Sequence, residues 1–484
     1  VGVNNLSVVG DLITFSNVDL TDLDYFTIAY NGQLDDAIAL NFAGVQENWS
    51  SALTWDINQV PDSSLNAIIF GGGNDVLIDV NSTINDLTVE SASSLTIDNG
   101  ITLQIFGDLK VESGATLTCN TGSTISFESQ TGTQRILNNS ANTVTFYNLS
   151  INNTFGVSLS NGPAGLSSAL DLVDGTFTIN DNFTFVSDAS VTGHIETVGA
   201  TANLTGNIIA ERFGDTRNAG WNDIASPAVG STIADLDDDL LISGVAGADG
   251  YAASTTGGGF VSIYKMNNVT QAWEAVANVT DAMTNGVGFE IWLGDDLSTF
   301  GGKTWTMAGS IDLTNTTQQT LDIETGWNLV GNPYPAFLDF EAISGRAGNV
   351  TNNEFWTVEA ATNTFVVKNS LQMIPPGQGF WVLTSNGTDL TIDPTTDFIA
   401  SNSTAMYKND YIADEEVRIL IQNQDSEKPL GSNVYLRKNQ NAYAGADYMD
   451  IPSLKRSEPK SCHIAFDNLG KQNLVNYVST NEEH

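Results

Sequence analysis

The chain has 484 residues, of which 41% are apolar and only 15% charged, yet it carries a formal net charge of −40 from 57 acidic and 17 basic residues. That imbalance excludes nucleic acid and anionic membrane surfaces as natural partners, and no run of 18 or more apolar residues is present to span a membrane as a helix. Two cysteines, Cys119 and Cys462, exclude a disulfide framework.

Thr, Val, Ile and aromatic residues, punctuated every few positions by Gly, Asn and Asp, predict an all-β chain of two to four domains. Residues 1–59 read as a β-rich N-terminal cap. Alternating stretches occur near residues 12–15 and 25–29, and Trp49 and Trp55 precede Pro61. A stacked-repeat protein needs its first layer covered, and the two indoles suit that task as lids; a sugar-stacking role is the sharper alternative.

Residues 60–211 carry the strongest pattern. DLTVESASSLTIDNGITLQIFG from Asp86 and DLKVESGATLTCNTGSTISFES from Asp108 are two copies of one unit of 22 residues. Apolar doublets two apart (Leu87/Val89, Leu95/Ile97, Leu103/Ile105, then Leu109/Val111, Leu117/Cys119, Ile125/Phe127) put both members on one strand face. Three doublets per unit predict a rung of three short strands, hence a parallel β-solenoid of six or seven rungs. Cys119 takes the inward slot that Ile97 fills one rung earlier, as a small hydrophobe. The register loosens over 130–145. It returns at Asn148, where NLSINNTFGVSLSNG matches the unit at Asp86, and later doublets are Leu170/Leu172, Phe177/Ile179 and Phe183/Phe185.

Tryptophan marks the next boundary. None lies between Trp55 and Trp221, and seven follow by Trp381. A slim rung has no room for indoles, whereas the space between two packed sheets has. Residues 212–400 therefore predict β-sandwich-like modules. Trp221-Asn222 before Pro227 parallels Trp327-Asn328 before Pro333, and the Gly-x-Gly-Phe run Gly286-Val287-Gly288-Phe289 before Ile291-Trp292 parallels Gly377-Gln378-Gly379-Phe380 before Trp381-Val382. Two related halves, about 212–310 and 311–400, are expected. Residues 401–484 hold nine of the 17 basic residues and 12 of the 57 acidic ones, which marks a third, near-neutral β module.

The chain resembles the multimodular secreted and cell-surface proteins of Bacteroidota exported by the type IX secretion system. The likeness rests on Trp49, Trp55 and Pro61 at the entry to the repeats and on GNIIAERFGDTRNAGWNDIASP from Gly206. It rests further on GWNLVGNPYP from Gly326, GQGFWV from Gly377, EEVRILI from Glu415, AYAGADYMDIPSLKR from Ala442 and HIAF from His463. It implies an extracellular or cell-surface location, the type IX secretion machinery as a partner during export, and roles as adhesin, matrix component or enzyme carrier. The last module is similar to the one that commonly precedes a C-terminal sorting domain; that domain is not in this sequence. The start at Val1-Gly2, without Met, is expected of a mature or trimmed piece.

Asp235, Asp237 and Asp239 form the densest acidic run and are the calcium candidates, because alternating carboxylates supply the oxygen ligands this cation takes. No EF-hand glycine or closing Glu follows, so a solvated acidic loop is the competing reading. His194, His463 and His484 lack metal-ligand spacing. No nucleophile elbow, phosphate loop or C-x-x-C occurs, so no catalytic residue is assigned. A polysaccharide lyase would need a base over a carboxylate or calcium cluster, and Lys110 and Arg135 are the only basic residues of the solenoid. Three functions stand at this point. They are a non-enzymatic structural or adhesive surface protein that self-assembles, a carbohydrate-binding or calcium-dependent attachment module for surface glycans, and a polysaccharide-degrading enzyme.

Overall fold

The computed structural model describes residues 5–9, 12–16, 36–40, 45–129, 131–215, 220–248, 261–293, 302–313, 319–359, 364–368 and 373–401, and the backbone of five later strands. Two units form, residues 1–35 and 36–484. Within the first, Asn5–Val9 and Leu12–Ser16 make an antiparallel hairpin.

The second unit opens with a parallel β-solenoid of about six turns. Each turn gives one strand to each of three faces. Leu87–Val89, Ser94–Ile97 and Thr102–Ile105 form one turn; Leu109–Val111, Thr116–Cys119 and Thr124–Phe127 form the next. Leu87 pairs with Leu109, Leu95 with Leu117 and Leu103 with Ile125, each in parallel register. The doublets point inward and ten of those twelve side chains are at most 1% exposed. Cys119 lies beside Ile97 as the spacing predicts, though the residue as a whole is only partly buried.

Parallel pairing reaches back to Asp36, upstream of the expected start at residue 60. Asp36–Ile38 pairs with Asn66–Ile69, and Gln46–Asn48 with Asp75–Ile78. Trp49 and Trp55 lie in the core of this first turn, 0% and 1% exposed, with ring centroids 4.7 Å apart. Trp55 Nε1 donates to the Trp49 carbonyl at 3.0 Å. Glu47 occupies the slot that Val76 fills one layer on. A carboxylate there makes this edge a poor template for another chain.

The match at Asn148 is corrected by the register. That stretch is shifted by one face relative to its supposed counterpart at Asp86. Leu149 stacks on Ile125 and Leu159 on Ile136, whereas Leu87 stacks on Leu109. The cause lies in residues 128–143, where the coil widens. Gln134 turns into the interior there and donates to the carbonyls of Ile105 (2.8 Å) and Gly107 (2.6 Å). The third face also changes partners at this point. Its first four strands end at Thr116–Cys119, and Val144–Phe146 begins a new sheet.

Side chains cap the corners from one layer to the next. Asn66 Oδ1 accepts from the Asp86 amide (3.3 Å), Asp86 Oδ1 from the Asp108 amide (2.6 Å), and Asp108 Oδ1 from the Arg135 amide (2.8 Å). Asp86 and Asp108 therefore stand on consecutive layers, joined directly.

The solenoid passes into the next module through one strand. Asn207–Asp215 pairs in parallel with Phe183–Phe185 on one side and antiparallel with Gly302–Ser310 on the other. The expected boundary at 211/212 falls inside this strand.

Two antiparallel four-stranded sheets follow. The first has the spatial order Gly220–Ala225, Gly288–Leu293, Ile263–Asn267, Ala272–Ala275; the second has Gly326–Gly331, Gly379–Thr384, Phe355–Glu359, Thr364–Lys368. In each, the opening strand pairs with the closing one and a hairpin lies beyond. The two sequence motifs occupy matching places: Ala225 faces Gly288, and Gly331 faces Gly379. Contacts between the halves are mirrored too. The Ala225 amide donates to the Gly377 carbonyl and the Gly331 amide to the Gly286 carbonyl, both at 2.9 Å. Ile224 bridges Gln378 as Val330 bridges Val287. Each half thus supplies one sheet, related by an internal pseudo-twofold axis, and the sandwich lies between the halves. Its core is aromatic, with Trp221, Tyr264, Trp273, Trp327, Trp356 and Trp381 together.

Past residue 401, the strands Glu415–Ile419, Val434–Asn439, Ile451–Pro452, Phe466–Asn468 and Lys471–Ser479 form one sheet. Among the described residues no helix is long and apolar enough to cross a membrane.

Candidate functional site

The acidic run folds as a short helix, Ile233–Asp237, with Ile233 and Leu236 buried. Asp235 closes a capping box with Thr232, whose backbone N–H reaches its carboxylate at 2.6 Å. Asp239 points elsewhere. Its Oδ2 accepts from the Thr306 amide (2.8 Å) and hydroxyl (2.9 Å), tying the helix to the strand Gly302–Ser310. Asp235, Asp237 and Asp239 do not converge, and among the described residues no group of three or more His, Cys, Asp or Glu side chains gathers to hold a metal ion. Asp239→Asn is expected to weaken this module by about 1–2 kcal/mol through the lost charge-assisted bonds. Thermal melts with calcium and with chelator check the alternative: a calcium-dependent rise in Tm that Asp239→Asn abolishes would establish the ligand role.

The indoles are fully used in packing. Eight of the nine tryptophans are at most 8% exposed, and half-buried Trp292 packs on Trp221 at 5.5 Å. Trp49 and Trp55, at 0% and 1% exposed, are buried as the lid reading expects and offer no exposed ring for the alternative of sugar stacking. Lys110 pairs with Glu112, and Arg135 with Asp108 at 2.6 Å, so the two solenoid bases are both engaged in ion pairs. Burial pushes the Cys119 thiol up to about 12, far from a reactive thiolate. Cys462, His463 and His484 lie outside the described residues.

His194 carries no sequence signal beyond its lack of metal-ligand spacing. It is buried where the last solenoid turns meet the second half of the sandwich. Its Nδ1 lies 3.0 Å from the Thr192 carbonyl, and its ring packs edge-on to Phe337 at 4.9 Å. The next residue, Ile195, donates its amide to the Pro335 carbonyl at 2.7 Å. Asn332, in the same GNPYP stretch, donates to the carbonyls of Ala336, Ile374 and Pro375. These motif residues organise a joint between modules, which a sequence pattern alone does not distinguish from a binding loop.

Two grooves remain. One of about 620 Å³ lies beside the hairpin of the first half, lined by Lys265, Glu274, Asp281, Thr284 and Phe289 among others, with Lys265 Nζ 3.6 Å from Glu274. The other, about 250 Å³, runs between the solenoid flank at Val173 and Glu196 and the turn at Pro394 and Phe398.

Several carboxyls are perturbed. Burial raises Asp171, Glu211, Glu354 and Asp397 above the ordinary carboxylate range. Three others are held below it: Glu196 by the His194 ring, 3.8 Å away, Glu112 by hydrogen bonds from Lys110 and Asn139, and Asp62 by those from Ser64. A raised carboxyl binds its proton more tightly folded than unfolded, so its penalty grows as pH climbs from about 4 through the folded pKa. A lowered one stabilises at any pH above the unfolded value, and that gain is lost only as pH falls through the folded pKa. As pH falls from neutral toward the ordinary carboxylate value the raised groups shed their penalty before the lowered ones lose their gain, and relief of self-repulsion at −40 acts in the same direction. The Tm is expected to be higher at pH 5 than at pH 7.5; calorimetric melts showing a steady fall over that interval would contradict the assignment.

No protein-family model, no curated protein and no solved structure matches the chain.

Proposed function

We propose that the protein is a non-enzymatic structural or adhesive component of the cell surface, carried outside the cell by the type IX pathway that its sequence motifs resemble. The observation that carries this reading is the use made of its polar and aromatic groups. Corner carboxylates and amides bind the next layer, the two solenoid bases are ion-paired, and the indoles fill cores. The strand Asn207–Asp215 extends a rod sheet to the strand Gly302–Ser310, which follows the first sandwich sheet in the chain, a geometry suited to transmitting load. The near-neutral module at 401–484 gives an acidic chain a surface on which copies of itself or a surface matrix meet less repulsion.

Immunogold imaging of producing cells, paired with incubation of the purified chain with uronate polymers and a glycan array, tests the proposal. Label on the cell surface or on filaments, without polymer cleavage, is the expected result. Catalytic release of unsaturated sugars, or label confined to the cytoplasm, would overturn it.

A further inference from the structure

We propose that Arg212 and Trp305 form a buried site for a small monovalent anion of halide size where the solenoid joins the sandwich. On the strand Asn207–Asp215, alternate residues Ile208, Ala210 and Arg212 share one face. Ile208 and Ala210 close the last layer of the rod core, 1% and 2% exposed. Arg212 continues that row past the end of the rod and is itself 1% exposed. One of its nitrogens, Nη1, donates to Thr192 Oγ1 at 3.2 Å. Its Nε and Nη2 are enclosed with no acceptor among the described residues.

Trp305 is the direct partner of Arg212 across the ladder to Gly302–Ser310. Such partners have Cβ atoms about 5 Å apart. Trp305 is 0% exposed, and its Nε1–H also has no acceptor among the described residues. Gly377, from the second half, closes over the guanidinium stem; a Cβ there would lie 2.8 Å from Arg212 Cγ. The adjacent acid does not help. Glu211 alternates to the opposite face, where its carboxylate accepts the Ser187 amide at 3.0 Å.

Two enclosed guanidinium nitrogens, the enclosed indole N–H of the ladder partner, a full positive charge and no acceptor among the described residues make a site that selects for negative charge. Desolvation without a counter-ion pulls the guanidinium down to about 9, which still leaves it charged at neutral pH. A buried cation lacking a partner is strongly unfavourable. Water would fill the hydrogen bonds and leave the charge unbalanced. A halide answers both demands, needs no directional lone pair, and is small enough for an enclosed joint. This inference is independent of the surface role proposed above.

The test uses the whole chain. Crystals grown in sodium bromide should show an anomalous peak within hydrogen-bond reach of Arg212 Nε and Nη2. In solution, Tm should rise with chloride relative to gluconate at equal ionic strength, by about 2 °C per tenfold increase above the Kd. Arg212→Met should remove that slope. A slope retained in Arg212→Met overturns the site. Should that variant fail to fold, the anomalous map decides alone: a peak at the joint supports the site, and a water or a protein carboxylate in its place overturns it.

Discussion

Replacing Trp381 with alanine is expected to destabilise the sandwich by about 3–5 kcal/mol from lost burial and the residual cavity. A further loss of about 1–3 kcal/mol follows from a weakened buried carboxylate. Trp381 is 0% exposed on a strand shared by both neighbours of its sheet. Its ring meets Trp273 and Phe365, each at 5.4 Å, and Trp327 at 6.4 Å, so it touches side chains from both sheets. Its Nε1–H donates at 3.2 Å to Asp223 Oδ1, and Oδ2 of the same carboxylate accepts the Val358 amide at 2.8 Å. Asp223 is 1% exposed in the middle of the opening strand, so weakening its solvation is costly. Trp381→Phe separates the two contributions, since it keeps most of the ring and removes the donor. Trp292→Ala is the control. That indole is only half-buried and should cost less than half as much. Urea unfolding, read with hydrogen exchange over Gly220–Ala225 and Gly326–Gly331, measures the effect. Equal losses from Trp381→Ala and Trp292→Ala would mean that the aromatic core does not hold the sheets together.

Asp223 also shows why only part of the sandwich was legible. The repeat of Trp-Asn and Gly-x-Gly-Phe motifs locates the opening and closing strands of each sheet, because tryptophan and glycine at those points serve packing that recurs. Gly288 and Gly379 are held by the same demand. A Cβ on the first would lie 2.6 Å from the Val330 carbonyl oxygen, and one on the second 2.8 Å from that of Ile224. The pseudo-twofold relation itself leaves no local sequence mark, since it depends on how two distant segments meet. Asp223, facing Glu290 across its own ladder, breaks that symmetry where the second half pairs Leu329 with Trp381. A lone Asp in a strand reads as surface until the sheet packed against it is known.

The solenoid was legible for a different reason, and the displaced match at Asn148 has the same root. Inward doublets at a spacing of two report burial directly, and every doublet pair over 87–127 points to the core except half-buried Cys119. All three faces use the same doublet, however. Nothing in Leu149/Ile151 says whether it belongs above Leu87 or above Ile125, so a coil widened around Gln134 displaced the match by one face. The acidic run was ambiguous for another reason. Asp235 and Asp239 look alike in sequence, but one caps a helix and the other anchors a strand. Carboxylates that satisfy backbone N–H groups share the loop composition of a cation site.

Gly175→Ala tests how tightly the solenoid layers stack, with an expected loss of about 3 kcal/mol. Gly175 turns the chain between Ala169–Asp174 and Thr176–Thr178 at φ +79°, a conformation unfavourable for alanine. The added methyl would also lie 1.8 Å from the Asn153 carbonyl oxygen in the layer below. Asn153 cannot move aside cheaply. It is 0% exposed, donates to the Gly132 carbonyl (2.9 Å) and Gln134 Oε1 (3.1 Å), and accepts the Phe155 amide at 2.8 Å. Gly73→Ala isolates the torsional part, because φ there is +102° and no atom lies within 4 Å of the point its methyl would occupy; it should cost about 1–2 kcal/mol. Layers of a solenoid contact only their neighbours. Exchange protection should therefore fall in Asn148–Asn152, Thr176–Thr178 and Asn203–Thr205 and persist in Leu87–Val89. Equal losses from the two glycine variants would show that backbone torsion, rather than contact between layers, sets the cost at these corners, and a uniform loss of protection would show that the rod melts as one body.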